Sequence, residues 1–355
     1  MSSANVRRYG LIGAGVMGQK HIRSLAFVDG ANLVAIAEPN DRPLNQTLKI
    51  LKTSPFKPAI YSEWQDMIAS ANLEAVILAT PSVMHHEMLL QLMPSELAIL
   101  VEGPMCSNLK DAQRIAGMAA KRQSLFHVGL GHRYDPAVAR FLERLQAGDA
   151  GSPAMLSISD HPPTCPEIAV DGEIPAVDLS ATLVEKCGHL FDLMRLVLKD
   201  EPVRIYASAG MIAAAPDDID GDQMDRPLDN AYVIVDFGKG ARAHLDFCLF
   251  AGGFAHEEDI SVIGDAGKLQ AQIPASVVTY SPRAPSGIER EDVGVAADIQ
   301  AGGHDLGATI NHLREFHRAM ATGAPPPVSA QAGLRSLEMS LAAQASAASG
   351  EVVTL

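Results

Sequence analysis

GLIGAGVMG, residues 10–18, sets a glycine-rich turn directly after an apolar run and directly before a helix-like one. In such a loop the first glycine, Gly13, permits the tight turn. The second, Gly15, lets the backbone approach a pyrophosphate, and the third, Gly18, lets helix and strand pack closely. The free amides of Gly15, Val16 and Met17, at the positive end of the helix dipole, then face the phosphates. Twenty residues after Gly18, at the end of the next apolar run NLVAIAE, stands Glu38. An acid there accepts the ribose hydroxyls of NAD and repels an added 2′-phosphate. Arg42 lies just beyond and keeps NADP open as the alternative.

Working outward, the pattern alternates. DRPLNQTLKIL reads as a helix and EAVILAT as a strand buried on both faces. SVMHHEMLLQLM is a helix, LAILVE a strand, NLKDAQRIAGMAAKRQ an amphipathic helix and LFHVG a last strand. Strand after helix after strand implies right-handed crossovers and a doubly wound parallel sheet, a Rossmann domain over residues 1–131. Two further loops sit at carboxyl ends of strands, where open α/β sheets bind ligands. One carries Thr80 and Pro81 with His85 shortly after, the other Glu102 and Gly103. Both are expected to border the nicotinamide end of the cofactor.

The 355 residues exceed one ordinary core. A net charge of −14 argues against a nucleic-acid partner. No apolar stretch has the length of a membrane span. Arg7 and Arg8 precede the apolar run as in an export signal, but that run is better read as a strand and a phosphate loop. The four cysteines show neither metal spacing nor disulfide density, so a cytoplasmic protein with no metal is expected.

GAGVMG, AEP, ATPSVMH and VEGP, in this order and spacing, resemble the glucose–fructose oxidoreductase, inositol dehydrogenase and MocA family. The likeness continues through GLGHRYDPAVARF, EKCGHLFDLMR, VIGDAGKLQAQIP and the C-terminal segment, and so covers nearly the whole chain. It implies a second α/β domain, residues 132–355, built on a large, mostly antiparallel open sheet and serving substrate binding and oligomerisation. It also implies an NAD(P)-dependent oxidoreductase of sugars, polyols or inositols. Arg133, Tyr134 and His304 correspond to substrate-cleft positions, and homodimers or homotetramers through the sheet are implied. One position departs. The family's Glu-Lys-Pro, whose lysine lies beside the hydroxyl being oxidised, is Glu102-Gly103-Pro104 here.

The second half offers a replacement. From about Leu179 to Leu198 the sequence has helical periodicity, with Leu183, Leu190, Leu193 and Val197 as a core-facing stripe. Glu185, His189 and Asp192 fall on another face of that helix. The resemblance places an acid four residues before the histidine, which Glu185 and His189 satisfy. His189 is suited to take the hydroxyl proton, because imidazole exchanges protons near neutrality. Glu185 would orient it, and Lys186 would polarise the alkoxide. The plain alternative is a helix-surface cluster of charges paired within itself. Two hairpins follow, YVIVDFGKGARAHLDFCLF and EDISVIGDAGKLQAQIP, consistent with an antiparallel sheet. Gly103 keeps open a cofactor-binding sensor without redox turnover, and NAD-dependent glycoside hydrolysis stands as a third reading.

Overall fold

The computed structural model describes residues 6–162, 182–212, 228–251, 257–283, 287–297, 299 and 304–355, except the side chains of 304–306. The proline-rich run 163–181 and the acidic run 213–227 lie outside the described residues. Among the described residues no helix is long and apolar enough to cross a membrane. The chain forms two compact units: residues 1–135 with 296–337, and residues 136–295 with 338–355.

The first unit alternates as the hydrophobic pattern predicts. Its elements are β1 (Arg7–Ile12), α1 (Val16–Leu25), β2 (Ala31–Ala37), α2 (Asp41–Thr53), β3 (Ala59–Tyr61), α3 (Trp64–Ser70), β4 (Ala75–Leu78), α4 (Ser82–Leu92), β5 (Ala98–Glu102), α5 (Leu109–Ala119) and β6 (Phe126–Gly129). The strands pair in parallel in the order β3-β2-β1-β4-β5-β6, the doubly wound arrangement. All four residues of β4 are buried, as are the first four of β5, which is why these strands read as continuous apolar runs. α5 starts where Asn108 caps it, its side chain accepting from the Asp111 amide at 3.0 Å. The short strand β3 carries no comparable signal, since none of its residues is buried. A distant helix, α9 (His304–Thr322), completes this unit by adding Leu313 and Phe316 to the core of Tyr9, Leu11 and Ile77.

The second unit contains α6 (Pro136–Ala147), β7 (Pro153–Asp160), α7 (Thr182–Glu185), α8 (Gly188–Leu198), β8 (Pro202–Gly210), β9 (Asn230–Phe237), β10 (Arg242–Cys248), β11 (Glu258–Gly264), β12 (Gly267–Ile273), β13 (Val277–Pro282), β14 (Glu289–Asp292) and β15 (Val353–Thr354). Among the described residues its nine strands run in the order β14-β13-β12-β11-β7-β10-β9-β8-β15. The predicted hairpins β9–β10 and β11–β12 are antiparallel. The central pair β7–β10 is parallel, which makes the sheet mixed. One inward row crosses the sheet through Val233, Leu245, Ile158 and Ile260, paired strand to strand. The opposite face carries Met155, Tyr206, Tyr232 and Ile234, all at least 40% exposed.

The predicted continuous helix is interrupted, with a turn at Lys186–Cys187 between α7 and α8. The amides of Leu190 and Phe191 both return to the Cys187 carbonyl, so a new helix begins there. Gly188, a weak helix former, opens it. The apolar stripe is as expected, with Leu183, Leu190, Leu193 and Val197 at most 1% exposed. The polar face is not: Asp192 is 1% exposed and belongs to the interior.

Candidate functional site

The glycine loop explains itself residue by residue. Gly13 has φ +87°, and a Cβ there would meet the Ala79 carbonyl oxygen at 2.7 Å. A Cβ on Gly18 would lie 2.2 Å from the Gly13 carbonyl oxygen, so only glycine lets α1 start this close to β1. Gly15 is the opposite case, because a Cβ there meets nothing within 4 Å among the described residues. That open space lies at the N-terminus of α1, which has no side-chain cap and no acid in its first turn. Val16 is 70% exposed beside it, and Met17 is half-buried. Uncapped amides at a positive helix end facing open space form an anion cradle.

Glu38 is 5% exposed. One oxygen accepts from the Ala14 amide at 2.8 Å, the other from the Asn40 amide at 2.9 Å and its side chain at 3.0 Å. The carboxylate is therefore held against the phosphate loop itself. Arg42 is exposed in the first turn of α2. Open space at Gly15, free amides and a fixed acid after β2 together fit a dinucleotide.

His85 is 1% exposed, with Nε2 2.8 Å from the Thr80 carbonyl and Nδ1 3.0 Å from the Pro104 carbonyl. Its ring thus joins the two loops, those after β4 and β5, that border this edge. Burial outweighs the two carbonyls and the Glu102 charge and pushes its imidazole below the usual range. Thr80 is half-buried and Pro81 exposed at the first loop.

At the second loop Glu102 pairs with the fully buried His21 of α1, Oε1 to Nε2 at 2.5 Å. Burial pushes the Glu102 carboxyl up, but the His21 bond and the fields of His21, His312 and His85 hold it below the usual carboxylate range. A Cβ on Gly103 would touch both the Gly129 carbonyl oxygen and Leu130 Cδ2 at 3.2 Å. The buried Leu130 crowds the position where the family pattern has a lysine.

Arg133 and Tyr134 lie half-buried in a 3-10 turn (Gly131–Tyr134) just beyond β6. His304 is the first residue of α9, its side chain outside the described residues. In the second unit Glu185 ends α7 exposed, Lys186 is half-buried in the turn, and His189 is half-buried in the first turn of α8. The turn at Lys186–Cys187 places Glu185 at the end of α7 and His189 in the first turn of α8. Sequence reasoning missed His21, His127 and His312. Each is a buried histidine whose partners come from elsewhere in the chain, and no local pattern marks it.

Residues 7–130 match the family described as an oxidoreductase family with an NAD-binding Rossmann fold, and residues 180–355 match its C-terminal alpha/beta domain. The chain is 23% identical over 343 residues to the myo-inositol 2-dehydrogenase of Thermotoga maritima, covering 96% of each chain. Its fold is shared with an oxidoreductase from Agrobacterium radiobacter in complex with NAD+, L-tartaric acid and magnesium, at TM-score 0.81, 17% identity and 98% coverage of both chains. The same holds for a myo-inositol dehydrogenase from Lactobacillus casei in complex with NAD(H) and myo-inositol, at TM-score 0.77 and 21% identity, covering 99% of this chain and 97% of that one.

Proposed function

Because this chain belongs to the oxidoreductase family defined by an NAD-binding Rossmann fold and a C-terminal alpha/beta domain, we propose that it is an NAD-dependent dehydrogenase of a sugar, polyol or inositol-like substrate. The observation that carries the reading is the glycine loop, where open space at Gly15 meets an uncapped helix end. The relatives' names support the substrate class. They lend nothing to the sensor or to glycoside hydrolysis. When bound, NAD supplies the hydride acceptor.

The chain's own residues divide the remaining work. The amides of Gly15, Val16 and Met17 would hold the pyrophosphate, and Glu38 the adenosine ribose. The loops of Thr80, Pro81, Glu102 and Gly103, braced by His85, would border the nicotinamide. Arg133, Tyr134 and His304 would contact substrate. With glycine at position 103, proton transfer falls to His189, which would take the hydroxyl proton with Glu185 as its partner. The positive end of α8 and Lys186 would stabilise the developing alkoxide.

The test is NADH absorbance across a panel of polyols and inositols. Turnover by the unaltered chain is expected, and His189→Ala should lower kcat by about 100-fold or more with NAD affinity retained. Should NAD bind while no polyol, sugar or carbonyl compound reacts, Gly103 decides the matter and the sensor reading replaces this one.

The outer face of the second sheet supports self-association. Met155, Tyr206, Tyr232 and Ile234 form an exposed apolar set on β7, β8 and β9, the kind of surface a second copy covers. Sedimentation at micromolar concentration should show a dimer or tetramer that Tyr232→Asp with Ile234→Asp dissociates. A monomeric unaltered chain removes the idea.

A further inference from the structure

Two buried imidazoles meet inside the first unit. His127 on β6 is 0% exposed and His312 on α9 is 2% exposed, and their Nε2 atoms lie 2.5 Å apart. Two apolar side chains would fill such a contact without the cost of desolvating four ring nitrogens. The bonding around the pair shows what the nitrogens do instead.

The backbone sets the direction. The Val328 amide donates to His127 Nδ1 at 3.1 Å, so that nitrogen is an acceptor and the His127 proton sits on Nε2. His127 Nε2–H then donates to His312 Nε2, which places the His312 proton on Nδ1. Both tautomers follow from one main-chain N–H. Burial pushes both imidazoles down, keeping them neutral as the chain of bonds requires.

The chain ends under a residue of interest. The Tyr134 ring stacks on His312 with centroids 5.0 Å apart and planes 16° from parallel. The next residue back on α9, Asn311, donates its side-chain amide to the Tyr134 carbonyl at 3.2 Å. Main chain and ring of Tyr134 are thus both held from α9, and the ring that holds it is oriented from β6.

We propose that His127 and His312 are positioning residues, a tautomer-locked pair that fixes the 3-10 turn bearing Arg133 and Tyr134 for contact with a hydroxyl-rich substrate. This rests on the proposed function for the role of Tyr134. The positioning itself rests on the bonds above. His127 bonds to His312, which in turn stacks on Tyr134, so His127 tests positioning at one remove from the turn.

The test uses the full chain with His127→Leu and, in case that variant folds poorly, His312→Phe, which keeps a ring beneath Tyr134 but ends the bond chain. Hydrogen exchange of residues 130–135 is expected to accelerate at least tenfold in either variant, with exchange in β1 and β4 unchanged. For the polyol the unaltered chain oxidises best, KM should rise about fivefold or more while kcat and NAD affinity stay within twofold. Nitrogen NMR of the unaltered chain should show a deprotonated Nδ1 on His127. Unchanged exchange in the turn, or accelerated exchange with KM unaltered, overturns the proposal. If the unaltered chain oxidises no polyol, it is the proposed function that fails, and the exchange result alone decides whether the pair fixes the turn.

Discussion

Gly15→Asp is expected to raise the thermal stability of this protein while removing its affinity for NAD. Among the described residues nothing lies within 4 Å of a Cβ at this position, and Gly15 has φ −66°, so the side chain enters without strain. Aspartate is a better N-cap than glycine and complements the helix dipole at an end that has no cap and no acid. Together these contribute about 0.5–1 kcal/mol, or roughly 1–3 °C in Tm. The same carboxylate would sit where the pyrophosphate must come. A like charge about 4 Å away at an effective dielectric of about 20 costs about 4 kcal/mol, or about three orders of magnitude in Kd. Gly18→Ala should do the reverse, lowering stability by about 3 kcal/mol or more, because its Cβ lies 2.2 Å from a backbone oxygen that has nowhere to go. Paired thermal melts and NAD titrations check both. Normal NAD binding by Gly15→Asp removes the pyrophosphate from this loop.

Acid should unfold the first unit well above the range where carboxylates titrate. Burial pushes His127 down to about 3 and His312 well below the usual imidazole value. Arg133 and His21 face the pair and add to this, while Glu102 opposes it at His312. In the unfolded chain both titrate near pH 6.5. A base with its folded value depressed stabilises the fold fully above its unfolded value and progressively less below it. At pH 5 His127 has surrendered about 2 kcal/mol, a large part of an ordinary domain's stability, and His312 loses stability in the same direction. Glu102, held below its usual range, adds to the loss only below about pH 4.5. Denaturant melts from pH 8 to 5 should show this slope, and the double variant His127→Leu/His312→Leu should make it shallower, leaving the part that buried His85 contributes. An equally steep slope in the double variant would place the acid sensitivity elsewhere.

Much of the site in the first unit was legible because its determinants are local. Gly13, Gly15 and Gly18 act within six residues, through one positive φ, one open space and one close contact. Glu38 was legible by distance along the chain, though not its bonds to Ala14 and Asn40. The hairpins β9–β10 and β11–β12 were legible from turn residues between alternating runs. The break before α8 was not, because the stripe of Leu183, Leu190, Leu193 and Val197 keeps its period across the turn. Periodicity records which residues are buried, and two short helices can bury them as well as one.

From the sequence alone came a parallel first sheet, a dinucleotide loop and a second half built of hairpins, since each rests on backbone preference and apolar spacing between near neighbours. Tertiary structure alone decided that Gly103 is crowded by Leu130, that β7 and β10 pair in parallel at the middle of the second sheet, and that residues 296–337 return to the first unit. It also brought His127 and His312 together from 185 residues apart. The physical reason is common to all of these. Burial and hydrogen-bond satisfaction are settled between segments distant in sequence, and a histidine meant for the interior looks, in its own stretch of chain, like one meant for water.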